Sequence, residues 1–237
     1  MLGKYNFTKK EAELVIKFFE PSVASIYIWI EYINDIFKIN NLKFDKLDET
    51  INKLNKLEFL DEFQDLKDEF LVTYEKILYY LIKLDIEKIN YQRDIIQPKM
   101  RVLKECFLLT DAIVKYCYDF VKKNKNTPNL DDLNVFFINR LLAYVKTIEF
   151  FNKNTKKNLS KQNLEVIEKM KACSNLEEWQ KSLDLIIGDY EDNHLDYLYL
   201  NDDYNDYFWK IVNKISQMQA ICEIAVNIKY NLNDNQD

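Results

Sequence analysis

Asp202, Asp203 and Asp206 place three carboxylates at i, i+1 and i+4. On a helix that spacing gathers oxygen ligands on one side, where they could take an oxygen-preferring cation. His194 is the single histidine, flanked by Asp192 and Asp196. A carboxylate-flanked imidazole could act as a general base, but a solvated loop histidine among acids is the reading adopted here. One histidine excludes paired-histidine metal sites and paired-histidine acid–base steps. No Ser, Cys or Thr stands in a recognisable nucleophile motif. Glycine occurs only at positions 3 and 188, which excludes the GxGxxG and GxxxxGK phosphate-cradling loops. No catalytic residue and no cofactor is therefore assigned, no metal site is expected, and the Asp202, Asp203 and Asp206 cluster of a metal-dependent enzyme is kept as the alternative.

The carboxylate cluster belongs to a larger feature. Between Ser182 and Trp209 there are eight acidic residues and neither Lys nor Arg, a local charge of −8 in a chain whose net charge is −6. The acidity is thus concentrated in one window, and the rest of the chain is slightly basic. Seven aromatic residues share the window. Rings supply rigid contact area and carboxylates supply attraction and register, which is what a surface needs to grip a basic protein. The candidate docking residues are Asp189, Tyr190, Glu191, Asp192, Asp196, Tyr197, Tyr199, Asp202, Asp203, Tyr204, Asp206 and Tyr207. Competing with this is an acidic surface loop whose tyrosines fold back onto the core. Among basic partners, nucleases and other nucleic-acid enzymes fit best, because their clefts accept a surface that imitates phosphate spacing.

Two resemblances attach to the same window. The DDxxD pattern of Asp202, Asp203 and Asp206 resembles the magnesium-binding motif of helical terpenoid synthases, although no second Asn/Glu metal motif follows Tyr207. Tyr204, Tyr207 and Trp209 leading into a helix resemble a family of helical immunity proteins in which Tyr-x-x-Tyr-Trp precedes a Phe-Glu-Ala-Ala helix. Here Phe208 intervenes, and Lys210, Ile211 and Val212 follow without the Phe-Glu pair. The second resemblance implies an immunity protein, and the acidic profile itself is shared by immunity proteins, antitoxins and phage-encoded anti-defence proteins, so the expectation is a non-enzymatic inhibitor of one of these types.

The lysines of residues 122–161 outnumber the acids there and raise the reading of a helical subunit in a nucleoprotein complex. Two clusters flanking one helix do not form a single patch, so direct nucleic-acid binding is not favoured. Cys106, Cys117, Cys173 and Cys222 lack CxxC pairing and read as reduced core thiols of a cytoplasmic protein. Met1–Lys10 lacks the regions of a signal peptide, and the longest charge-free apolar run, Pro21–Ile30, is too short to span a bilayer. No membrane partner is expected.

With 48% hydrophobic residues but two glycines and three prolines, the chain has a core's worth of apolar side chains and too few turn residues for a sheet protein. The expectation is an all-α, irregular multi-helix bundle of about seven or eight helices, forming one domain over 1–237, with a subdivision near 124–129 as the alternative. Thr8 and Glu11 form a capping box for a short first helix, and Pro21 starts a second that is apolar nearly all round. Phe63, Phe70, Ile77 and Leu84, with Leu66, Tyr74 and Leu81 between them, mark a bundle seam. Pro98 opens the next helix, and the helix from Asn129 to about Asn152 is placed centrally. Ser160 starts a short helix, Ser174 with Glu177 caps another that Gly188 ends, and the last runs from about Tyr204 to Tyr230.

Overall fold

The computed structural model describes residues 4–58, 60–83, 89–154, 159–192 and 206–234, with side chains described in these ranges except at 82–95, 189–209 and 232–234. Among the described residues there are eight helices and no strand. They are α1 (Lys9–Ile39), α2 (Asp45–Leu54), α3 (Leu60–Lys83), α4 (Ile89–Asn124), α5 (Leu130–Lys153), α6 (Lys161–Lys171), α7 (Leu176–Asp192) and α8 (Asp206–Asp234). The fold is an all-α, irregular multi-helix bundle. No helix of the described residues is long and apolar enough to cross a membrane. The chain divides into two compact units, Met1–Asn129 with Asn227–Asp237, and Leu130–Val226.

In the first unit, the Thr8 box forms as its spacing predicts. Thr8 N–H donates to Glu11 Oε2 at 2.7 Å, and Glu11 N–H donates to Thr8 Oγ1 at 3.3 Å. The expected break at Pro21 does not occur: α1 is one 31-residue helix with Pro21 inside it. Proline removes the N–H that would reach Lys17 O, a cost of about 3 kcal/mol. Buried Phe18, Phe19, Ile26, Ile30 and Ile33 on both sides of it hold the helix together regardless. Nor does the apolar character of this segment bury it on every side, since Ile28 and Tyr32 are exposed. Its C-terminus closes with Asn41 N–H on Lys38 O and Leu42 N–H on Phe37 O. This paired arrangement needs a left-handed residue, which is normally glycine. With almost no glycine to use, the chain puts Asn41 there at φ 56°, and an asparagine side chain tolerates that region.

The α3 seam is buried as its period requires: Phe63, Leu66, Phe70, Tyr74, Ile77 and Leu81 are all nearly inaccessible, while Leu84 lies outside the described residues. Phe70 stacks on Phe107 of α4 at 4.3 Å, and Phe63 stacks on the same ring at 5.9 Å. Lys104 sits over Tyr74 and Lys67 pairs with Asp111, so α3 and α4 run antiparallel. The α1 and α4 helices do likewise. Lys122 donates to Asn6 O just before the start of α1, and Lys99 lies 5.8 Å from the Trp29 ring near its other end. Pro98, expected to open α4, is again internal, because that helix begins at Ile89.

In the second unit, α5 is not the central helix that its many aromatics suggested. It buries one stripe, Leu133, Phe137, Leu141, Val145 and Ile148, and leaves Val135 and Phe150 exposed. The helix buried around most of its circumference is α8, through Ile211, Ile215, Met218, Ala220, Ile221, Cys222 and Ile224 among others. Ser160 caps α6, its Oγ accepting from Asn163 N–H at 3.1 Å. Cys106, Cys117 and Cys222 are buried free thiols; burial pushes Cys117 up to about 12 and raises Cys222. Cys173 departs from the expected core placement: it is only partly buried, and its Sγ donates to Glu178 Oε2 at 3.0 Å, which raises the thiol above its ordinary value.

Candidate functional site

The acidic window is delivered by α7 and α8, and α7 is built to be held at its first turn. The expected Ser174 cap is replaced by Asn175, whose Oδ1 accepts from Glu177 N–H at 2.9 Å while its carbonyl accepts from Trp179 N–H. Both residue types are competent caps, but Asn175 stands directly before Leu176, in the cap position, and Ser174 lies one residue outside it. Trp179 then fixes the turn: it is fully buried, and its Nε1 donates to Cys173 O at 2.8 Å. Leu183 and Ile186 continue the buried stripe, and Leu185 faces solvent.

Asp184, the first acid of the window, accepts from Gln219 Nε2 of α8 at 2.9 Å. Asp184 nonetheless remains exposed, and seven acids follow it downstream. Gly188 does not end the helix, which runs four residues further to Asp192. A Cβ built at Gly188 meets nothing within 4 Å. Gly188→Ala is accordingly expected to stabilise the protein by about 0.5–1 kcal/mol, because the helical backbone loses less entropy on folding. A thermal melt checks this, with an expected rise of about 1–4 °C.

Asp189, Tyr190, Glu191 and Asp192 occupy the end of α7, and Asp206 and Tyr207 begin α8. The last turn of α7 carries no basic residue. Acids there face the negative end of the helix dipole, each at a cost of about 0.3–1 kcal/mol, whereas Asp206 sits favourably at a helix start. The side chains of these six residues, together with His194, Asp196, Tyr197, Tyr199, Asp202, Asp203 and Tyr204, lie outside the described side chains, and the alternative metal cluster falls there with them. Among the described residues no group of His, Cys, Asp or Glu could hold a metal ion.

The lysines of the nucleoprotein reading are partly engaged within the fold. Lys122 lies 3.9 Å from Glu11 and Lys161 lies 3.9 Å from Glu165, while Lys156 and Lys157 fall outside the described residues.

One constellation escaped the sequence reading. Lys67 Nζ lies 3.0 Å from Asp111 Oδ2 and 3.0 Å from Gln64 Oε1, and Tyr5 Oη donates to Asp111 Oδ1 at 3.3 Å. The lysine side chain is only 8% exposed. Burial first, then the carboxylates of Asp111 and Asp119, pushes the Tyr5 phenol up to about 12. The signal was present: Lys67 interrupts the apolar seam of α3, and Asp111 follows Phe107 at helical spacing on α4.

No protein-family model, no curated protein and no solved structure matches the chain.

Proposed function

We propose that the chain is a non-enzymatic binding protein that docks on a basic protein partner, of the nuclease or nucleic-acid-enzyme kind, and neutralises it through residues 182–209. The observation that carries this reading is the end of α7. Acidic residues crowd the turn where the helix dipole disfavours them, and that turn carries no basic residue of its own. Local rules of this kind are broken at functional sites, where the compensation comes from elsewhere. A basic partner would supply the missing counter-charge and steer association at the same time.

The test is a pull-down from the native host lysate with the intact chain and with a variant in which Asp189, Asp192, Asp196, Asp202, Asp203 and Asp206 are all Asn. The neutralised chain is expected to melt within about 1 kcal/mol of the parent, since losing Asp206 at a helix start opposes the gain from removing Asp189 and Asp192 at a helix end. A basic protein retained by the first and lost by the second supports docking; equal recovery contradicts it. A melt with and without magnesium examines the DDxxD alternative, which requires stabilisation by the cation.

A further inference from the structure

We infer that Arg101, Lys104 and Tyr74, in the groove between α3 and α4, form a receptor for a phosphate monoester. Arg101 Nε is buried without a hydrogen-bond partner, the single side-chain atom in that state among the described residues. A buried donor left unanswered is costly, and such donors are normally met by protein, by water or by an ion. The rest of the guanidinium is no better served, because Arg101 makes no hydrogen bond or ion pair among the described residues. The groove lies in the first unit, and the inference stands whether or not residues 182–209 dock a protein.

Two further donors share its surroundings. Lys104 follows three residues later on the same face of α4 and puts its Nζ 4.9 Å from the centroid of the Tyr74 ring. It too makes no hydrogen bond or ion pair among the described residues, and neither does the Tyr74 hydroxyl. Burial raises the Tyr74 phenol, and the Arg101 charge is near enough to lower it in part. Two positive charges and a hydroxyl therefore meet without a carboxylate between them. The neighbouring acids do not cancel the charge. Asp111 is answered by Lys67 and Tyr5. Glu105 is buried and engaged, and it pairs with neither base. Glu75 follows Tyr74 directly, which turns it about 100° round α3. A phosphate dianion matches both the charge and the donors: the guanidinium fork, Nε with one terminal nitrogen, takes two oxygens and the ammonium a third. Half-buried Leu71, Leu78 and Leu108 lie on the same faces of the two helices and keep water away, which strengthens the attraction. Because Nε is shut away from solvent without a guest, binding turns the guanidinium outward and relieves the unanswered donor.

The test is a nuclear magnetic resonance titration of the full chain, followed at the arginine Nε–H signals, of which only Arg93, Arg101 and Arg140 contribute. The probes are inorganic phosphate, glycerol phosphate and N-acetyl-phosphoserine amide, with chloride at matched ionic strength as the control. A saturable shift of the Arg101 signal is expected with at least one phosphate and not with chloride. Affinity, read in the variants from the backbone amides around Tyr74, should fall at least about tenfold in Lys104→Gln and in Arg101→Lys, which keeps the charge but loses the fork. Preference for glycerol phosphate identifies a free phosphate ester as the source, and preference for the phosphoserine amide identifies a modified side chain. Both variants should fold, since neither replaced group bonds to the rest of the chain, and unchanged circular dichroism would make the loss interpretable. Absence of a saturable shift at Arg101 with every phosphate, the same shift with chloride, or parental affinity in either variant would each overturn the inference.

Discussion

Trp179→Ala is expected to lower the unfolding free energy by about 3–5 kcal/mol, the range for deleting a fully buried aromatic side chain. The indole is inaccessible and lies with Leu183 and Ile186 on the buried face of α7. Its Nε1 also answers the Cys173 carbonyl where α6 hands over to α7. Alanine therefore leaves both a cavity and a carbonyl without its donor. Trp179→Phe separates the two contributions: it keeps most of the volume and should cost about 1–3 kcal/mol, the penalty of the unanswered group. Urea unfolding of both variants measures the difference. A cost below about 1 kcal/mol for the alanine variant would show that the indole does not anchor this turn. The consequence reaches the proposed surface, because the helix that Trp179 holds carries Asp189, Glu191 and Asp192 at its other end.

Asp111→Ala is expected to cost about 3 kcal/mol, the lower end of what breaking a buried ion pair from one side costs. The lower end applies because the Asp111 side chain is 24% exposed while that of Lys67 is 8% exposed. Truncation leaves the ammonium with Gln64 Oε1 as its remaining neighbour in the pair. In a domain of this size the loss corresponds to roughly 6–12 °C in Tm. The double variant Lys67→Met/Asp111→Leu should fall within about 1 kcal/mol of the parent, since removing both charges removes the desolvation penalty with the attraction. If the single and double variants are equally destabilised, the ion pair is not what the single substitution breaks.

The α3 seam, the Thr8 box and the Ser160 cap were legible because each rests on short-range spacing that packing then reinforces. Both prolines misled for one physical reason. The penalty of a helix-interior proline is local and finite, and apolar burial on either side of Pro21 outweighs it. The central helix was misassigned because α5 is rich in large rings. Rings such as Phe150 can stay half in water, whereas the small and branched residues of α8, such as Ala220, Ile221 and Ala225, lie flat against neighbours on several sides. Gly188 was taken as a stop because glycine ends helices when it turns left-handed; here it continues α7. The charge of the window could be read directly, since charge is a sum over residue types. Lys67 and Asp111 could each be marked as charges on an apolar helix face, but their pairing with each other and with Tyr5 could not be read, because it joins residues up to 106 positions apart and depends on which helices are antiparallel neighbours.

The docking claim is tested most directly by calorimetric affinity of the retained basic partner for the intact chain and for the sixfold Asp-to-Asn variant, each at low and high salt. The account predicts at least about a 100-fold loss of affinity in the variant and a steep salt dependence that only the intact chain shows. Equal affinities with equal salt dependence would contradict it and return residues 182–209 to the status of a solvated acidic connection.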